Sequence, residues 1–534
     1  MRTKRVLIVG GGSSGWTTAA YLNAVLNIGD QRVAEISLVE SPNVQRIGVG
    51  EATIPNIRNT LAVIGIDELD FMRAVDGTFK QSIRYVNWLD VKRKFYHHPF
   101  CRYGSGPCED AGRRWLMSDR SVPFTNTVSA QPVICEMGLA PKMLGNEDSG
   151  LPFEYAFHMD ALKFADYLRD FATARRVMHY LDHVIDVDMD ESGNIASVQT
   201  ESGKRLEADL FIDCTGFAAR LIGKKLGVGF KDCSQWLLCD RAVTMNVPYE
   251  HYYPGCVRPY TRATALSAGW VWDIPLQNRR SLGYVHSSAH LSDNDAEKEL
   301  RAFEGYHSEA LPSRIVKFTV GRREQQWTAN CIAIGLSGAF IEPLESTGLY
   351  LSQIAIDLLA EHFPYTDDMA PLAFRFNRIM TNRFYEILDF INMHYCLTRR
   401  TDTEFWREVR RPERINDRLR AKLEFWRIKP PSVSDFDDQF FPGQSEIPMV
   451  SGNAFEDNRH PIDTGRLWNH HSYEAILYGM DFLRDECNEW YGEDRPRPAV
   501  HKKVLDAINA ASGKLPQHDV WLKRMVGMAD YSKS

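Results

Sequence analysis

The residues with the clearest chemical meaning begin at position 10. Gly10-Gly11-Gly12-Ser13-Ser14-Gly15 fits G-x-G-x-x-G. The pattern lets backbone approach a pyrophosphate and aims a helix N-terminus at its negative charge. Alone it is weak, because any tight strand-to-helix turn is glycine-rich. Here it lies between the apolar run Val6-Leu7-Ile8-Val9 and a helical pattern from Ser14, and Glu40 closes the next strand where an acid would bind ribose hydroxyls. The site suits either FAD or NAD.

Two further features favour FAD. One is the strand end Asp213-Cys214-Thr215-Gly216, the usual flavoprotein layout. The other is a second glycine-rich loop, Arg46-Ile47-Gly48-Val49-Gly50-Glu51-Ala52-Thr53, able to strap over an isoalloxazine, although Gly-x-Gly also makes bare turns. No second nicotinamide fingerprint follows, so reduced flavin is expected from a separate reductase. The residues expected to hold the cofactor are Gly10, Gly12, Ser13, Ser14, Gly15, Glu40, Gly48, Gly50, Ala52, Val184, Asp213, Gly335 and Leu336.

These residues need a parallel sheet to carry them. Residues 6–9 read as a buried strand, 14–26 as a helix and 33–40 as a second strand, a βαβ opening. Residues 160–174 read as a helix, and turns at 191–194 and 201–204 divide three short strands that lead into 208–216. Residues 240–330 are strand-rich, punctuated by Pro248, Pro254, Pro259 and Pro275. A buried strand is expected at 332–336, and helices at 349–362, 373–394 and 412–426. The fold class is therefore α/β: a two-dinucleotide-binding flavoprotein with a Rossmann-like FAD domain on a mixed sheet, plus a largely helical C-terminal substrate region. The FAD-binding part spans 1–365, with strand-rich insertions at about 80–155 and 235–330, and the helical region spans 366–534.

Composition excludes several classes. With 534 residues, 44% hydrophobic and 25% charged, the chain can bury a large core. A net charge of −7 argues against a nucleic-acid or polybasic membrane footprint. Ten cysteines without a CxxC pair suggest neither metal nor a disulfide framework, and fit a cytoplasmic protein. The basic start is followed by too short an apolar run for a signal peptide, and no run reaches membrane-spanning length.

Gly269-Trp270-Val271-Trp272-Asp273-Ile274-Pro275, Glu342-Pro343-Leu344-Glu345-Ser346-Thr347-Gly348 and Val75-Asp76-Gly77-Thr78-Phe79-Lys80 occur in an order that resembles the flavin-dependent tryptophan halogenases. The resemblance covers most of the first 400 residues and fades after about 430. Taken singly, these residues are bland. A lysine at a strand end is usually a solvated charge, and alternating tryptophans usually pack in a half-buried strand. The resemblance implies that reduced FAD (FADH2) and O2 convert a bound halide, chloride or bromide, to hypohalous acid. Lys80 would meet that oxidant by hydrogen bonding or as a haloamine, two options that need different protonation states. Glu345 would position or deprotonate the ring intermediate. Ser346, Thr347 and Gly348 would hold the halide. Trp270, Trp272, Ile274 and Pro275 would wall the flavin from the substrate. Partners implied are a small aromatic substrate, an NAD(P)H-dependent flavin reductase and a second copy in a homodimer, with no nucleic acid, membrane or metal.

Two other readings remain open. An aromatic hydroxylase shares the first fingerprint, but such enzymes generally carry Gly-Asp-Ala after the late strand, where this chain reads Gly335-Leu336-Ser337-Gly338-Ala339. A catalytically silent flavin-binding protein is the other. At the substrate end, Tyr96-His97-His98-Pro99-Phe100 resembles a ring sandwich. We take His98 and Phe100 as the candidates, with His97 an alternative, and Trp468 as the opposite wall. The family's clamp for the amino-acid end carries paired tyrosines and a glutamate. The matching stretch here is Phe436-Asp437-Asp438-Gln439-Phe440-Phe441, followed by Pro442-Gly443. A charged amino-acid end would be left unpaired there. Indole or an indole derivative is the expected substrate, in place of free tryptophan. The composition of 430–461 points to a mobile lid.

Overall fold

Strand Lys4–Val9 lies at the centre of a six-stranded sheet. In spatial order the strands are Trp327–Thr328, Cys331–Ala333, Leu210–Asp213, Lys4–Val9, Ala34–Glu40 and Met178–Leu181. All neighbours are parallel except the Trp327–Thr328 edge hairpin. The chain goes from Lys4–Val9 to one side for its second strand and to the other for Leu210–Asp213. That reversal opens a crevice at the strands' carboxyl ends, where such sheets bind ligands. The computed structural model describes residues 3–29, 31–44, 48–92, 94–102, 111–145, 153–432, 435, 467–483 and 495–531. The expected lid contacts at 436–443, and Arg46 and Ile47 of the second glycine-rich loop, lie outside these.

The chain divides into two units, and it passes between them several times. The first comprises Met1–Gly77, Met159–Ser234 and Phe318–Tyr385. Its opening helix, Ser13–Leu26, buries Trp16, Ala19, Ala20, Leu22 and Leu26. The expected meander is present as the antiparallel strands Val184–Met189, Ile195–Thr200 and Arg205–Glu207. Val184, Val187, Ile195 and Val198 of this meander share a core with Leu7, Val9 and Phe211 of the parallel sheet. Helix Ala161–Thr173 starts where Asp160 accepts hydrogen bonds from the amides of Leu162 and Lys163.

The second unit comprises Thr78–His158, Gln235–Lys317 and Glu386–Ser534. Its seven-stranded sheet runs Ser313–Lys317, Arg241–Pro248, Arg279–His286, Gly269–Pro275, Thr261–Ala265, Ser82–Val86 and Phe95–Pro99. All pairs are antiparallel except Thr261–Ala265 with Ser82–Val86. Val271 points into a core with Val243, Leu282 and Tyr284, beneath helix Asp293–Glu304. By alternation Trp270, Trp272 and Ile274 take the other face.

Two element boundaries differ from expectation. The apolar run 332–336 is strand only over Cys331–Ala333, because Gly335 turns the chain at φ +78°. The helical pattern 412–426 splits into a 3-10 turn, Pro412–Arg414, and a helix, Asp417–Trp426, capped by the Asn416 side chain on the Leu419 amide. Among the described residues, no helix is long and apolar enough to cross a membrane.

Candidate active site

In the first unit the glycine turn forms an open cradle. Gly10 has φ +115°, and a Cβ there would lie 2.2 Å from the Cys214 carbonyl oxygen. At Gly15 it would lie 2.0 Å from the Gly10 carbonyl oxygen, and at Gly11 it would run into the Glu40 carboxylate. Gly12 is different: nothing lies within 4 Å of its Cβ position. It stands at the N-terminus of helix Ser13–Leu26, which no side chain caps and which has no acid in its first turn. Three glycines are thus required by packing, and the fourth leaves space in front of the first amides of a helix that no side chain caps. That is the shape a pyrophosphate needs.

Other expected cofactor residues lie in the same unit. Ser13 Oγ donates to the Ala161 carbonyl at 3.2 Å, and Ser14 Oγ lies 2.9 Å from Ser352 Oγ. Gly335 is the close-approach partner of Ser14, its Cβ position 2.5 Å from the serine Oγ, and Leu336 follows it half-buried. Glu40 lies 3.0 Å from His179 Nε2. Gly48 closes on Leu162, and Gly50 and Ala52 are buried in the short strand Gly50–Ala52. Val184 is a core residue whose carbonyl accepts from Arg220. The carboxylate of Asp213 is taken up by its own chain: it accepts from the Thr215 amide and hydroxyl and from the amides of Leu221 and Ile222. Those bonds fix the end of strand Leu210–Asp213.

The same unit carries the Glu345 segment. Pro343–Glu345 is a 3-10 turn, Ser346 has φ 61°, and helix Gly348–Glu361 begins immediately afterwards. Glu345, Ser346 and Thr347 are all buried. Thr347 has no side-chain capping bond, and its Oγ1 is buried without a hydrogen-bond partner. An orphaned hydroxyl beside an uncapped helix N-terminus fits a small anion.

Lys80 and the aromatic candidates belong to the second unit. Lys80 is fully buried, and its Nζ lies 5.2 Å from the Phe100 ring centroid. Burial of this kind is foreign to a solvated surface lysine. Trp270 and Trp272 stand 6.3 Å apart at 61°, both with indole N–H groups that find no partner. Trp272 lies across Gly283, where a Cβ would be 2.0 Å from its ring. Trp270 also packs toward Trp88. Ile274 is buried, and the Pro275 carbonyl accepts from Thr78 at 2.6 Å.

The two histidines separate cleanly. His97 Nδ1 is 2.9 Å from Ser82 Oγ and Nε2 is 3.0 Å from Glu136. Burial above all pushes its pKa down, against the Glu136 contact. His98 alternates to the other face and packs 5.6 Å from Phe390, which stacks on Trp468 at 4.1 Å and 8°. His98, Phe390 and Trp468 thus form one aromatic group. Sequence reading missed Phe390, since an aromatic in a long helical pattern looks like ordinary core.

Comparison with known proteins identifies the family. The tryptophan halogenase family model matches residues 5–493. Tryptophan 7-halogenase RebH of Lentzea aerocolonigenes is 35% identical over 95% of this chain and 94% of its own. The solved tryptophan halogenase of Shewanella frigidimarina NCIMB 400 superposes with a TM-score of 0.85 at 31% identity, covering 98% of both chains. Tar14, a tryptophan C-6 flavin-dependent halogenase (chlorinase) from taromycin biosynthesis, gives a TM-score of 0.84 at 32% identity, over 98% of this chain and 100% of that one. The chain belongs to the tryptophan halogenase family and is a flavin-dependent halogenase.

Proposed function

We propose that this halogenase acts on an indole ring, with FADH2 delivered by a separate NAD(P)H-dependent reductase and with O2 and chloride or bromide as co-substrates. The observation that carries the reading is Lys80: a fully buried amine beside Phe100, in the unit that also holds His98, Trp270, Trp272 and Trp468. When bound, reduced flavin would supply two electrons to O2, so that one halide, one aromatic C–H and one proton from solvent yield a C–halogen bond while two waters are released.

The chain's own residues have distinct tasks. The amides after Gly12 would hold the pyrophosphate, and Glu40 the ribose hydroxyls. The Thr347 hydroxyl and the amides of Thr347 and Gly348 would hold the halide, with Ser346 shaping the turn that presents them. Lys80 Nζ would engage the electrophilic halogen and offer it to one ring carbon. Glu345, buried in the other unit, would serve as the carboxylate base of the reaction. Trp270, Trp272 and Ile274 would exclude water from the oxidant's route. His98, Phe100, Phe390 and Trp468 would stack against the substrate ring.

Indole is favoured over the free amino acid by Phe440, Phe441 and Pro442, which supply no side-chain hydroxyl or acid for an ammonium and carboxylate. The second reading, free tryptophan, is supported by the activity for which the relatives are named. A competition with equal indole and L-tryptophan separates the two. Haloindole in at least about tenfold excess supports the first, worth about 1.4 kcal/mol of transition-state preference. Predominant halotryptophan overturns it.

A further inference from the structure

Lys80 ends the strand Thr78–Lys80, which pairs antiparallel with Ala156–Asp160 so that Thr78 faces His158 and Lys80 faces Ala156. Alternation sets Thr78, Lys80 and His158 on one face of this pair and Phe79 on the other, where it packs on Tyr155 and Trp521. His158 is therefore the diagonal cross-strand neighbour of Lys80. Thr78, Lys80 and His158 are all fully buried.

The imidazole bridges two hydroxyls. Nδ1 lies 3.0 Å from Thr78 Oγ1, and Nε2 lies 2.9 Å from Thr261 Oγ1. Thr78 donates its only hydroxyl proton to the Pro275 carbonyl at 2.6 Å. Toward His158 its oxygen can then only accept, so Nδ1 carries the hydrogen, and in the neutral ring the Nε2 lone pair accepts from Thr261. This is a neutral ring in one tautomer. Burial first, then the charges of Lys80 and His518, hold its pKa well below the ordinary imidazole value. The relay from Thr261 through His158 and Thr78 to Pro275 joins the Lys80 strand to Thr261–Ala265 and to the end of the double-tryptophan strand.

We propose that His158 is a positioning residue for halogen transfer: it locks the Lys80 strand to the Ile274-Pro275 end and places a neutral ring beside the amine. Oxidant reaching that face is then captured instead of escaping. This rests on the reading of Lys80 as the amine that handles halogen.

The test compares H158F, H158N and K80A with the unmodified enzyme, using flavin reductase, NADH, FAD, bromide and indole. Two quantities are read: bromoindole formed per flavin oxidised, and bromination of added monochlorodimedone as a trap for escaped oxidant. In H158F, flavin oxidation holds within about twofold, bromoindole per flavin falls about tenfold or more, and trap bromination rises to match. Asparagine can still donate to Thr78, so H158N recovers coupling to within about threefold of the unmodified enzyme. Unmodified coupling in H158F, with coupling lost in K80A, overturns the role of His158. Coupling retained in K80A overturns the Lys80 reading itself. If H158F does not fold, T78V removes the same relay, with T78S as its control. A drop in coupling in T78V but not T78S supports the role, and unmodified coupling in T78V overturns it.

Discussion

Replacing Gly10 and Gly12 separately by alanine distinguishes a dinucleotide cradle from a bare turn. At Gly10 the new methyl would sit 2.2 Å from the Cys214 carbonyl oxygen on a backbone with φ +115°. The left-handed conformation costs about 1–2 kcal/mol for a residue with a Cβ. Forcing the strands apart adds about 1–3 kcal/mol. Gly12 has φ −79°, an ordinary extended value, and nothing within 4 Å of its Cβ position. Its replacement costs folding no more than the loss of a good N-cap residue, about 1 kcal/mol. The same methyl would stand in front of the amides proposed to hold the pyrophosphate. Losing one charge-assisted hydrogen bond there removes about 1.5–3 kcal/mol of affinity, or roughly 10- to 150-fold in Kd. Differential scanning fluorimetry and flavin-binding titration measure both properties. G10A should lower Tm markedly, whereas G12A should fold nearly as the unmodified chain does and bind FAD at least about tenfold more weakly. Unchanged FAD affinity in G12A would refute the placement of the cofactor on this turn.

Three other changes have defined outcomes. Lys80→Met should abolish halogenated product, by about 100-fold or more, while bromide-dependent flavin oxidation persists; product per flavin consumed checks it. Trp468→Ala removes the ring stacked on Phe390 at 4.1 Å, and should raise KM for indole about tenfold or more, a loss of roughly 1.4 kcal/mol in ring binding read from initial rates. Asp389 is buried with Arg418 at 2.9 Å and Lys422 at 3.0 Å. Burial works against its charge, but the two cations outweigh it and hold its pKa below the usual carboxylate value. Its stabilising contribution is therefore complete above the unfolded pKa, near 3.9, and is lost as pH falls through the lower folded value. Asp389→Asn should cost about 3–5 kcal/mol at pH 7, and the gap in Tm between variant and unmodified chain should narrow in acid.

Local pattern made part of this molecule readable and distance hid the rest. The glycine turn, the first strand and helix and the meander at 184–207 are legible because each is written within a few dozen consecutive residues. Gly335 ends a strand that the apolar pattern continues to residue 336, since periodicity does not register a positive φ. His97 and His98 are adjacent letters on opposite faces of one strand. Only the placement of Ser82 and Glu136 on one side and Phe390 on the other tells them apart. Phe390 and His158 carried no signal of their own. Their significance comes from Trp468 and from Thr78, Thr261 and Pro275, which are distant in sequence or meet them only across strands.

Halide-dependent product formation tests the halogenation chemistry most directly. With reductase, NADH, FAD, O2 and indole, addition of bromide should yield a product carrying the paired isotope pattern of one bromine, and omission of halide should leave indole unchanged. A hydroxylated indole formed without halide, or flavin turnover with bromide and no brominated ring, would contradict it.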